Sequence, residues 1–362
     1  MQFNVVLFLL FLFGSSAALP TSSSSYAAVD DTDTISNSDS NNDESDAIAT
    51  NAAVDAVAFG SPVAAFASWR SEASGCRDGT FANLQSFVQF MGYPRSGHTL
   101  IAMLLDAHPD IALSNEINLL EKWDKFATAF ELEMLIVNKV LARYAADRPQ
   151  KPKKHAKNEV GHYNYRVPGA WQGRWRCLRV LGDKKGSSTT AGLQRDWNGT
   201  LDKLRWFESN LHVPVKFFHV IRNPFDNIAT MITRGLNVRT HNATDRATMV
   251  AAQWDDSWDK RVERWIGLFE TNVRFSMTLP PGSVLHVHDF QLLGNATHET
   301  QRWCAFLNLE CPARFSAAVA RVLFRQPWRS RDRIPWSSRA RRRIDKFLRE
   351  HELLQHYTFE GN

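Results

Sequence analysis

Gly92-Tyr93-Pro94-Arg95-Ser96-Gly97-His98-Thr99 decides the reading of this chain. An apolar run, Phe87-Val88-Gln89-Phe90-Met91, precedes it, and Leu100-Ile101-Ala102-Met103-Leu104-Leu105 follows. That order predicts a strand, a glycine-rich loop and a helix. Such a loop turns backbone N–H groups and a helix N-terminus toward an anionic group. The spacing is that of a Walker A loop with His98 where the lysine belongs. Arg95 supplies the loop's positive charge instead. The loop therefore suits a phosphate or sulfate and disfavours ordinary ATP chemistry.

Strand candidates alternate with helical stretches on either side of this string. Phe87–Met91, Leu178–Leu181, Val215–Ile221 and Val284–His288 read as strands. Thr99–Ala107, Leu119–Tyr144, Pro224–Thr233, Met249–Leu279 and Ala340–Leu354 read as helices, with a shorter one at His298–Leu307. Near-continuous apolar strands predict a parallel sheet covered on both faces. The expected fold is one P-loop-type, three-layer α/β/α domain over residues 81–358, with ligands beyond the carboxyl ends of its strands.

The 362 residues carry 43 Lys and Arg against 38 Asp and Glu, unevenly placed. Residues 1–60 hold eight acids and no Lys or Arg, which leaves the remainder with a net charge of +13. A domain that basic points to an anionic ligand, although many of those charges are an ordinary solvated surface. Met1–Leu19, with apolar Val5–Phe13 and small Ser16-Ala17-Ala18, reads as a signal peptide without a basic leader, or else as a short membrane anchor. The stretch over residues 20–75, rich in Ser and Asp, reads as a disordered linker. Three glycosylation sequons, at Asn198, Asn242 and Asn295, suit a lumenal address. So does the even number of cysteines, four, among which Cys304 and Cys311 are the expected disulfide. The histidines do not resolve into a metal site: His286 and His288 alternate on a strand, and His108 sits at a helix end.

A second string carries chemistry: Phe217-Phe218-His219-Val220-Ile221-Arg222-Asn223-Pro224, followed by Phe225-Asp226-Asn227-Ile228-Ala229-Thr230. A buried strand ends at Arg222, Pro224 opens a helix, and Thr230 lies eight residues after Arg222, two helical turns on. Together Arg222 and Thr230 could grip a second phosphate.

With both loops in place, residues 87–354 resemble the sulfotransferases that use 3′-phosphoadenylyl sulfate (PAPS), most closely the Golgi carbohydrate and tyrosylprotein branches, which share the look of Leu105-Asp106-Ala107-His108-Pro109. The resemblance implies that Arg95, Ser96, Gly97, His98 and Thr99 hold the 5′-phosphosulfate, and that Arg222 and Thr230 hold the 3′-phosphate. It implies Glu116, in Ser114-Asn115-Glu116, as the base that takes the acceptor's proton. Lys184, in Leu181-Gly182-Asp183-Lys184-Lys185-Gly186, would neutralise charge at the transferred group, with Lys185 as the alternative. His98 departs from the family's commoner Thr, Ser or Gly; either it bonds a sulfate oxygen or it packs beside the loop. The basic stretch Arg325–Arg333 stands where cytosolic members carry a Gly-rich motif. It either covers the nucleotide, faces an anionic acceptor or is a solvated face.

The expected activity is sulfuryl transfer from PAPS, leaving 3′-phosphoadenosine 5′-phosphate (PAP), to a hydroxyl, preferably of a glycan. The expected setting is the Golgi lumen or the secreted fraction, with no metal, no nucleic acid, and membrane contact only through an uncleaved N-terminus. A tyrosylprotein acceptor, a P-loop kinase and a non-catalytic lumenal anion or glycan binder are the alternatives.

Overall fold

The computed structural model describes residues 76–77, 81–145, 166–235, 254–324 and 327–361. The expected signal segment, the whole of the Ser- and Asp-rich stretch and the Asn242 sequon lie outside them. Five strands, β1 (Ser86–Gly92), β2 (Ile111–Ser114), β3 (Val180–Asp183), β4 (Val215–Ile221) and β5 (Val284–His288), form one sheet in the order β2-β3-β1-β4-β5. Every pairing is parallel. All seven residues of β1 are buried, as the central strand of a doubly covered sheet requires.

Alternation along the strands divides the core. Val88, Phe90, Phe218, Val220 and Val287 face one layer, built from α1 (His98–Leu105), α7 (Asp289–Gly294), α8 (Ala296–Phe306) and α9 (Ala313–Val322). Phe87, Met91, Leu181, Val215 and Phe217 face the other, built from α2 (Ala129–Ala145), α3 (Gly186–Arg195), α4 (Trp197–Leu211) and Phe275 of α6 (Asp256–Thr278). A third cluster joins α5 (Pro224–Gly235), α6 and α10 (Ser338–Glu350) around Trp265 and Phe269. This is the expected three-layer parallel architecture. Among the described residues no helix is long and apolar enough to cross a membrane.

Several boundaries differ from the sequence reading. β2 is new: four residues between a helix end and a turn carry no periodicity to read. β3 runs two residues later than expected, because Gly182 and Asp183 pair with Val88 and Gln89 on one side and with Leu113 and Ser114 on the other. The helix expected from Leu119 starts only at Ala129, after two 3₁₀ turns. Thr128 Oγ1 accepts from Glu131 N (3.2 Å), and Glu131 Oε2 accepts from Ala127 N (2.8 Å). This capping box, not apolar spacing, sets the start. α3, α4, α7 and α9 are also additional; α4 is announced by Asp196, whose carboxylate caps Gly199 N at 2.9 Å.

The expected Cys304–Cys311 disulfide is absent: both are free thiols. Cys311 Sγ instead donates to Thr300 O at 3.4 Å and contacts Ser316 Oγ at 3.6 Å. The disulfide is Cys76–Cys177, with Cα atoms 5.8 Å apart, which ties the start of the described chain to the approach to β3. Trp175 is buried, and Trp197 and Trp206 pack against the same core.

Gly182 lies so close to the Val88 carbonyl on β1 that a Cβ would collide with backbone. Gly182→Ala is therefore expected to lower stability by about 3 kcal/mol, as overpacking of a rigid neighbour does. Urea denaturation of the variant checks this; an unchanged midpoint would contradict the β1–β3 packing described.

Candidate active site

The carboxyl ends of β1, β3 and β4 lie side by side and deliver Gly92, Lys184 and Arg222 to one edge of the sheet. β1 leads away toward β2, and β4 leads the other way toward β5. The crevice between them is the switch point where parallel sheets bind ligands.

The first loop is held in an uncommon backbone shape. Gly92, Arg95 and Gly97 all have positive φ, 144°, 68° and 99°. For Arg95 that conformation costs on the order of 1 kcal/mol or more and persists only where the surroundings enforce it. Asn227 Nδ2, from α5, provides one such restraint by donating to Pro94 O at 2.6 Å. No side chain caps α1, and a Cβ on its N-cap residue Gly97 would meet nothing within 4 Å. The first N–H groups of α1 thus carry no side-chain cap, as the N-terminus of an anion-binding helix does.

His98 takes the packing role of the two left open by the sequence. Its ring is buried, and a Cβ at Gly92 or Gly186 would press on it at 2.7 or 2.6 Å. Nε2 lies 3.2 Å from both Met91 O and Ser96 Oγ. Burial, reinforced by the Lys184 charge, pushes its pKa down to about 3, so the ring is a neutral strut under the loop. Ser96, also buried, is turned to that strut. Both side chains thereby support the loop from below.

Thr99, Lys184 and Glu116 come together. Lys184 Nζ donates to Thr99 Oγ1 at 2.9 Å and to Glu116 Oε1 at 2.6 Å. Lys185 Nζ reaches Glu116 Oε2 at 3.4 Å. The lysine stem is buried, whereas 47% of the Glu116 side chain is exposed. Burial raises the Glu116 pKa, but Lys184 and Lys185 outweigh it and hold the carboxyl below its usual value. Burial lowers the Lys184 pKa, and Glu116 only partly offsets this. The arrangement offers an accessible carboxylate beside a desolvated ammonium.

Arg222 and Thr230 also meet. Arg222 donates to Thr230 Oγ1 (3.1 Å), Ser330 Oγ (3.2 Å), Trp328 O (2.8 Å) and Arg95 O (3.4 Å). All four acceptors are uncharged oxygens, so the guanidinium charge has no hydrogen-bonded carboxylate against it. Thr230 Oγ1 lies 3.0 Å from Ser330 Oγ. Buried Asp226 sets the C-terminal strip over α5: it accepts from Arg331 N at 2.9 Å and faces the Arg331 guanidinium at 3.4 Å. Within the basic stretch, of which Arg325 and Gln326 lie outside the described residues, Trp328 and Ser330 close over Arg222. Ser330, Asp226 and Asn227 were not singled out in the sequence; Ser330 sat inside a charge run that offered no spacing signal.

His219, His286 and His288, at the β4–β5 side of the sheet, are occupied by packing and by one another. His219 Nε2 lies 2.7 Å from Tyr93 Oη, and His219 Nδ1 lies 2.9 Å from His286 Nδ1. Among the described residues no His, Cys, Asp or Glu cluster is arranged to hold a metal ion.

No protein-family model matches the chain, and no curated protein matches it. Among solved structures it is similar to sulfotransferase STF9 from Mycobacterium avium, at 12% identity over 79% of this chain and 80% of that one, TM-score 0.40. It is similar to mouse sulfotransferase SULT7A1 complexed with PAP, at 12% identity over 74% and 84%, TM-score 0.36. The sulfotransferase domain of the Synechococcus PCC 7002 olefin synthase aligns at 14% identity over 67% and 80%, TM-score 0.37.

A histidine kept neutral by burial binds a proton in the unfolded chain below about pH 6.5 but resists it in the fold. Its contribution is present above that pH and is lost as the pH falls toward the folded value, about 3 for His98. Removing it in His98→Gln should flatten the fall of unfolding free energy between pH 6 and pH 4 by about 1.4 kcal/mol per pH unit. Urea titrations of both proteins across that range check this, and equal slopes would contradict the neutral strut.

Proposed function

We propose that this chain is a sulfotransferase that moves the sulfuryl group of PAPS to a hydroxyl acceptor on a glycan in the secretory pathway. The observation that carries the reading is Lys184 Nζ, held between Thr99 of the first loop and Glu116 at 2.9 and 2.6 Å. An anion cradle, a cation beside it and an accessible carboxylate facing that cation are the parts an in-line group transfer needs. The residues also fit the donor nucleotide. The first loop presents a helix N-terminus without a side-chain cap and no carboxylate. The Arg222 cluster presents a guanidinium and two hydroxyls to a second, 3′-placed phosphate.

PAPS supplies, when bound, an activated sulfuryl group on a phosphate leaving group. The chain's own residues do the rest. The N–H groups opening α1, with Arg95 and Thr99, bind negative charge at the first loop. Arg222, Thr230 and Ser330 hold the second phosphate. Lys184 offsets charge that builds on the oxygens near Thr99, a role that draws it away from Glu116. Glu116, released from part of that ion pair, accepts the acceptor hydroxyl's proton at a carboxylate oxygen. Lysine thereby couples the two halves of the site: the charge it meets at the loop frees the base. The basic balance of the domain and the exposed sequon residues Asn198 and Asn295 support an anionic donor and a glycosylated, lumenal protein.

Glu116→Gln keeps the shape of the site and removes the base. Transfer from radiolabelled PAPS to a glycan panel is expected to fall by about 10²- to 10⁴-fold, with PAP affinity within a few-fold of the parent. Undiminished transfer would remove Glu116 from the role. Arg222→Ala is expected to weaken PAP binding by at least about tenfold, the size of one lost charge-assisted hydrogen bond or more, while adenosine 5′-phosphosulfate binding changes little. Calorimetric titration with both nucleotides distinguishes this from a uniform loss, which would contradict the assignment.

A further inference from the structure

We propose that Asp183 is the positioning residue for the Glu116–Lys184 pair, an inference that rests on the sulfuryl-transfer reading above. Asp183 ends β3 and is fully buried. Its Oδ1 accepts from Ser114 Oγ at 2.8 Å and from Ile117 N at 3.0 Å, and its Oδ2 accepts from Asn118 N at 2.9 Å. The three donors flank Glu116 on both sides. The two backbone N–H groups can only donate, one to each carboxyl oxygen, and Ser114 Oγ, whose proton also has Gly182 O within 3.2 Å, adds a third contact, a set that suits a carboxylate.

The turn that Asp183 grips does not hold its own shape. Glu116 and Asn118 both lie in the left-handed region, with φ of 60° and 64°. Neither is glycine, and each costs on the order of 1 kcal/mol or more unless its surroundings enforce it. The enforcement comes from the Asp183 carboxylate on one side. On the other, the next residue closes the contact: Lys184 N donates to Ser114 O at 3.1 Å. One residue thus fixes the backbone that aims Glu116, while the residue bonded to it supplies the ammonium that Glu116 meets. Burial raises the Asp183 pKa, and the hydrogen bonds from Ser114 and the turn N–H groups oppose that rise. Its charge also supports the ammonium form of Lys184. An exact aim matters because displacement of a reacting group by about 1 Å can cost about 100-fold in rate.

The test uses the full chain carrying isotope-labelled glutamate carboxyl carbons, with the Glu116 resonance assigned by its loss in Glu116→Gln. In the parent, Glu116 titrates below the ordinary carboxylate range. In Asp183→Asn, the amide presents a donor to the Asn118 N–H, the turn loosens, and the titration moves up. PAPS-dependent kcat is expected to fall about 100-fold, with PAP affinity within about threefold of the parent. An Asp183→Asn protein that binds PAP and titrates Glu116 as the parent does would overturn the inference. If that variant does not fold, Ser114→Ala decides. It withdraws one donor and leaves the carboxylate, so a smaller upward move is expected and an unmoved titration overturns. A parent that neither binds PAP nor transfers sulfate would end the functional reading, while the Glu116 titration would still decide the part played by Asp183.

Discussion

The Arg222 guanidinium is the contact on which the rest of the site depends. It leaves the end of β4 and reaches the first loop at Arg95 O, α5 at Thr230, and the C-terminal strip at Trp328 and Ser330. Three segments far apart in sequence are thereby gathered at one crevice of the sheet. Because its partners are neutral oxygens, the gathering leaves the positive charge uncancelled by a direct ion pair. Buried Asp226 makes this possible by anchoring the neighbouring Arg331 instead. A buried pair of that kind is costly to break from one side, about 3 to 5 kcal/mol, so it fixes the strip firmly.

The other half of the site obeys a different constraint. Lys184 is desolvated, and its charge is shared between a hydroxyl and a carboxylate. The Thr99 hydroxyl belongs to the anion loop and Glu116 to the turn after β2. In the proposed transfer, this ion pair would respond to charge arriving at the loop, since Lys184 touches both groups. His98 contributes from below. Filled by a neutral imidazole, the space between Gly92 and Gly186 keeps the loop raised without adding a competing charge.

Much of this was legible in the chain. Strand ends are set by local chemistry, and β4 and β5 were readable to the residue because apolar runs stop at Arg222 and Asp289. The anion loop was readable because its glycines are needed where φ is positive. Lys184 and Glu116 were nameable through resemblance, but not the 2.6 Å contact between them, which depends on β2 and β3 lying in register. β2 itself was invisible, being too short to show a period. The second role of the C-terminal strip was hidden for a related reason: a run of arginines looks the same whether it faces water or folds over a partner, and only Asp226, about a hundred residues earlier, decides. The misplaced disulfide shows the limit of spacing arguments. Cys304 and Cys311 are near in sequence, yet Cys76 and Cys177 are the pair brought into bonding geometry by the sheet.

The proposed function requires two anion sites joined through Arg222, which would suit a nucleotide phosphorylated at both its 3′ and 5′ positions. Calorimetric titration of the unmodified protein with PAP and with adenosine 5′-phosphate measures this most directly. Binding of PAP at least about 100-fold tighter, near 2.7 kcal/mol, is the predicted result. Equal affinity for the two nucleotides, or no binding of either, would contradict it.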